Sequence, residues 1–178
     1  MLGDFFSHTL DDPFGADNAA LRRGRYGIIE ISLGRLVAIH LRPWPRIVST
    51  LETDWLGRRW HERRAGDRCL LYYNQPRWHS NFLALKYVVS QRDCTLATFR
   101  RALMALDEVA RIKRSDAILC DAWNERISER LMAREGWERH KPDRWHRNYI
   151  KRFYGVYPQT DPTVTASLSN AIPAAAEC

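Results

Sequence analysis

The chain predicts an α/β fold, a mixed and partly antiparallel sheet with helices packed on it. Three observations carry that expectation. Residues 82–154 run as apolar strand, amphipathic helix, apolar strand, capped helix and alternating strand, the order of a β-α-β unit with one strand added. Residues 26–41 alternate on either side of Leu33-Gly34 and read as a hairpin. Residues 68–74, between those two patterns, supply a further strand, so the second half inherits antiparallel neighbours.

Each element has a local reason. Pro43-Trp44-Pro45 ends the hairpin, and residues 51–64 suit a helix. Residues 82–89 are apolar on both faces apart from Lys86, as expected of a strand covered on two sides. Residues 90–95 break that run, after which Leu96, Phe99, Leu103, Leu106 and Ala110 recur at spacings of three and four to make one helical stripe. Lys113-Arg114-Ser115 closes the helix, and Ala117-Ile118-Leu119-Cys120 reads as a buried parallel strand with Asp121 near its carboxyl end. Asn124 suits an N-cap for a helix with Glu125 in its first turn, Ile127 and Leu131 on one face, Arg134 late and Gly136 as a left-handed stop. Trp137 then returns to the core, and residues 144–153 place Trp145, Tyr149 and Phe153 on one side of a last strand. In such units the ligand crevice lies at the carboxyl ends of the strands, so a site is expected in the turns after Val89 and Trp123.

Residues 82–154 resemble the second half of the GNAT acyltransferase superfamily, the acyl-CoA-dependent N-acyltransferases, whose core ends strand, helix, strand, helix, strand in this order. The best local match is Asn124-Glu125-Arg126-Ile127-Ser128-Glu129-Arg130-Leu131-Met132-Ala133-Arg134-Glu135-Gly136-Trp137, which is similar to that superfamily's strand-Asn-helix-Gly-aromatic signature. The resemblance implies a GNAT-like architecture, acetyl-CoA or another acyl-CoA as cofactor, and an amine as acyl acceptor. It places the cofactor against Val89, Gln91, Arg92, Cys94, Thr95 and Asn124, with main-chain N–H groups after Tyr87 for the oxyanion and Asp121 as the base. Two positions depart from the family. Its diphosphate loop is Gln or Arg, two residues, Gly, one residue, then Gly or Ala, whereas residues 91–96 here contain no glycine and include Asp93, which repels an anion. Met132 stands where many members carry a tyrosine that protonates the departing thiolate, and a thioether cannot donate. Counted back from Gly136, Asn124 also falls one residue early.

With 178 residues, 45% of them hydrophobic, the chain suits one domain. The expected organisation is a mobile acidic segment over 1–21, a single GNAT-like α/β domain over 22–155, and a disordered tail over 156–178 that is rich in Ala, Ser, Thr and Pro. No apolar run approaches the ~20 residues needed to cross a bilayer, and Met1-Leu2-Gly3-Asp4 lacks the basic region of a secretory signal, so a soluble cytoplasmic protein is expected, without a membrane partner. Cys69, Cys94, Cys120 and Cys178 form no C-x-x-C pair, and reduced thiols are the default. Cys94 beside Arg92 at a helix start has the one setting that favours a thiolate.

Arg-Trp-His occurs three times, at 59–61, 77–79 and 144–146, and the net charge is +7. Arginines interleaved with tryptophan suit nucleic acid, yet no helix-turn-helix, zinc-finger or RNA-recognition signature accompanies them. His140 and His146 lack ligand spacing and no Cys/His cluster appears, so no metal is expected. There is no G-x-S-x-G, Walker or G-x-G-x-x-G motif. Asp121 and Glu30 are the candidate general bases, on the expectation that burial raises a carboxyl toward the working range. Function thus divides among acyl-CoA N-acyl transfer, a GNAT-like interaction module without cofactor, and nucleic-acid binding.

Overall fold

The structure, a computed structural model, describes residues 8–10, 12–44, 66–122, 128–141 and 147–158. These form an open mixed sheet of eight strands with three helices. The elements are β1 (His8–Leu10), α1 (Asn18–Arg23), β2 (Tyr26–Ser32), β3 (Arg35–Arg42), β4 (Arg68–Asn74), β5 (Phe82–Ser90), α2 (Leu96–Lys113), β6 (Ala117–Asp121), α3 (Glu129–Arg134), β7 (Glu138–Arg139) and β8 (Asn148–Arg152). Strand order is β1-β3-β2-β4-β5-β6-β8-β7. Among the described residues only β5 and β6 pair in parallel, as expected for strands joined through α2; the other described pairings are antiparallel.

The hairpin turns where the sequence puts it. Leu33 and Gly34 have φ of 50° and 71°, the pair of left-handed residues that a two-residue loop needs to match strand twist. The loop is held from the core side, since the Gly34 N–H donates to Thr98 Oγ1 at 2.9 Å. One sheet face is apolar, with Ile29, Ile31, Leu71, Tyr73 and Leu83 fully buried under α2 and its neighbours. The stripe expected from Leu96 begins later. Leu96 remains 49% exposed, while Thr98, Ala102, Ala105, Leu106 and Val109 are buried, the alanines letting the helix lie close to β2 and β4.

The described part of the segment 1–21 belongs to the sheet, since residues 8–10 pair with β3 and Asn18 opens α1, with Leu10 and Leu21 wholly buried. Three alternating residues, His-Thr-Leu, are too short a strand for the pattern to reveal. The helix expected from Asn124 opens instead at Glu129, where the Ser128 hydroxyl accepts from the Leu131 N–H at 3.2 Å. Asn124, the helix over 51–64, Trp145 and residues 159–178 lie outside the described residues.

Candidate functional site

The expected site lies at the carboxyl end of β5, beyond the last pair of the parallel strands. β5 and β6 pair over Phe82↔Ala117 to Leu85↔Cys120 and no further. At the same level the register of β5 against β4 slips, from Tyr73↔Leu85 to Tyr72↔Tyr87, which leaves Lys86 as the extra residue of a bulge. A bulge bends its strand and raises the local twist; β5 continues to Ser90 along β4, while β6, paired with β8 along its whole length, ends at Asp121. The charged residue interrupting an otherwise apolar strand was the one signal of this bulge in the sequence. Lys86 is exposed, and Val88 and Val89 are half-buried. Asp121 ends β6, one residue past the last β5–β6 pair and opposite Asn148 of β8.

The loop after β5 is compact. The Gln91 N–H donates to the Arg68 carbonyl at 3.0 Å and the Cys94 N–H to the Gln91 carbonyl at 3.1 Å, which projects Arg92 and Asp93 into solvent. Thr95 caps α2, its hydroxyl accepting from the Thr98 N–H at 3.1 Å. Val89, Gln91, Arg92, Cys94 and Thr95 are therefore brought together at one end of β5. The depression lined by Arg68, Leu70, Val89, Ser90 and Gln91 measures only about 10 Å³, room for no more than a water.

The start of α2 already holds an anion. Asp67, which the sequence did not single out, accepts from the Thr95 N–H at 2.8 Å, the Thr95 hydroxyl at 3.0 Å and the Thr98 hydroxyl at 2.6 Å. Desolvation works to raise this carboxyl, but the bonds from Thr98 and Thr95 outweigh it and hold it below the usual range. A charged carboxylate thus stands where a diphosphate would meet the helix dipole. Asp67 lies 28 residues before Thr95, and no local pattern links the two.

Glu30 corrects one expectation. Its carboxylate meets His40 Nε2 at 3.2 Å and Arg68 at 2.7 Å, and the bond to His40, with Arg68 behind it, lowers its pKa despite burial. A base engaged in this way is further from the working range than an isolated one. Cys94 has a depressed pKa, but the cause is the Cys69 thiol bonded to it rather than Arg92; Cys69, fully buried, is pushed up in turn. Burial followed by the nearby Asp121 charge raises Cys120 to about 12. Met132 is 2% exposed within the core.

No family model, curated protein or solved structure matches the chain. The site rests on its own geometry: the end of the β5–β6 pairing, a basic side chain at the β5 bulge, a carboxylate at the end of β6 and a helix start already capped by Asp67. Among the described residues no cluster of three His, Cys, Asp or Glu side chains has metal-site geometry. No described helix is long and apolar enough to cross a membrane.

Proposed function

We propose that the protein is a GNAT-like acyl-CoA-dependent N-acyltransferase with an amine as acceptor. The observation that supports this is the end of β5–β6 pairing at Leu85↔Cys120, level with the Lys86 bulge, beyond which β5 runs on to Ser90. An extended pantetheine arm suits the end of such a pairing, at the carboxyl ends where ligands of α/β sheets bind. In this reading the amine nitrogen attacks the thioester carbon, main-chain N–H groups after Tyr87 stabilise the oxyanion, and the C–S bond breaks as the tetrahedral intermediate collapses. Asp121 takes the proton that the amine loses. The thiolate takes its proton from solvent, because Met132 is buried and has none to give.

The acyl-CoA phosphates would lie off the α2 start, toward Arg92, since Asp67 holds the capping position. That same carboxylate favours a second reading, in which the scaffold has lost its cofactor and serves as an interaction module. Thermal unfolding with acetyl-CoA separates the two. Ligand at 100 times its Kd stabilises by ~2.7 kcal/mol, which for this length is a rise in Tm of roughly 5–10 °C. The expected result is such a rise, reduced in Arg92→Glu. No rise with wild-type protein would leave the interaction module. Arg92 is preferred for substitution because it is exposed, whereas Thr95→Pro would also remove the N–H that Asp67 binds.

A further inference from the structure

We propose that the opposite end of the sheet binds single-stranded nucleic acid. The register places the start of β2, the end of β3 and the end of β4 side by side, as Tyr26↔Arg42 and Tyr26↔Asn74, at the other end of the sheet from the carboxyl end of β5. There an open cleft of about 550 Å³ is lined by Arg23, Arg25, Arg42 and Arg77, with Tyr26 and Pro43 between them and no carboxylate.

Five of the described arginines have an acidic partner. Arg68 pairs with Glu30, Arg100 with Glu135, Arg111 with Glu108, Arg139 with Glu129 and Arg152 with Glu138. Among the described residues no ion pair engages any of the four cleft arginines. A fifth cation lies beneath them. The Lys113 ammonium, 8% exposed, donates to the Gly24 carbonyl, to the Arg22 carbonyl at 3.4 Å and to Gln75 Oε1 at 3.3 Å, and so pins the chain that carries Arg23 and Arg25. Burial, and then the charge of Arg25, lowers the Lys113 pKa to about 8. Like charges gathered without a counter-charge repel one another, and a bound polyanion relieves that repulsion.

The chemistry beside the cleft narrows the polyanion. Trp44 and Trp78 follow Pro43 and Arg77 directly in the chain and are 70% and 94% exposed. Exposed indoles next to phosphate-binding arginines stack on unpaired bases, which a duplex keeps within its own stack. The site is independent of the acyltransferase reading.

Fluorescence anisotropy of the full chain with a labelled 15-nucleotide oligothymidylate, a duplex of equal length and heparin tests the proposal. Single strand should bind more tightly than duplex. Neutralising four phosphates at ~0.7 per phosphate gives a log-log salt slope near −3, about a 50-fold loss between 50 and 200 mM salt. Arg25→Glu with Arg77→Glu, both exposed and hence compatible with folding, should weaken binding at least tenfold and flatten the slope. Trp78→Ala should weaken oligothymidylate by roughly 5- to 100-fold, the worth of one stacked base, and leave heparin unchanged. No binding at 50 mM salt, unaltered affinity in the double variant, or equal loss for heparin and oligothymidylate in Trp78→Ala would each overturn it.

Discussion

Asp107 lies 2.6 Å from the Lys151 ammonium, yet burial outweighs that partner and raises its carboxyl to about 6. The folded state therefore holds this proton through a range in which the unfolded chain, with an ordinary aspartate, has lost it. Stability should fall as pH rises from about 4 to 6, by roughly 3 kcal/mol from this group, and level off above. Asp107→Asn should remove that decline, as read from urea midpoints across pH 4–7; a variant with the wild-type slope would show that burial does not govern Asp107. Such environments were not legible in the sequence. Glu30 looked like a base in waiting until the register set His40 across from Ile28 and Arg68 across from Ser32, bringing both cations to its carboxylate. Asp121 was legible as the acid at the end of an apolar strand, because that placement needs only the strand boundary.

Helix ends show how far local chemistry reaches. α3 closes with the Trp137 N–H on the Met132 carbonyl at 2.9 Å and the Gly136 N–H on the Ala133 carbonyl at 3.1 Å, around Gly136 at φ 82°. α2 closes in the same way, Ser115 to Ala110 and Arg114 to Arg111, but around Arg114 at φ 54°. A side chain costs about 1 kcal/mol or more in that conformation. Arg114→Gly should therefore raise Tm by a few degrees, and Gly136→Val should lower it by more, since its Cβ would also meet Lys151 Cε at 3.3 Å. Equal Tm for wild type and Arg114→Gly would mean that Arg114 makes compensating contacts. The hairpin, β4, α2 and the Gly136 stop were legible because periodicity and turn residues are encoded locally. The α3 cap was misplaced because Asn124 and Ser128 both suit the role, and only the backbone tells which N–H groups are unsatisfied.

At the scale of the molecule, the mixed sheet was legible and its order was not. Hydrophobic alternation marks a strand but does not say that β3 lies outside β2 or that β1 lies outside β3. The acidic charge of the first residues suggests a segment apart from the domain, yet the buried Leu10 and Leu21 side chains tie its described part to the core. Leu10→Ala should cost 2–5 kcal/mol in chemical unfolding, as for other fully buried leucines; a cost below about 0.5 kcal/mol would show that β1 is dispensable. The outermost described strands, β1 and β7, are three and two residues long, and β7 is Glu138-Arg139. Among the described residues a rim so brief offers another copy little main chain of its own, though β1 covers only Ile39 to Leu41 of β3. Concentrated protein should therefore stay more dispersed than a sheet with a long apolar rim, which would recruit its neighbours.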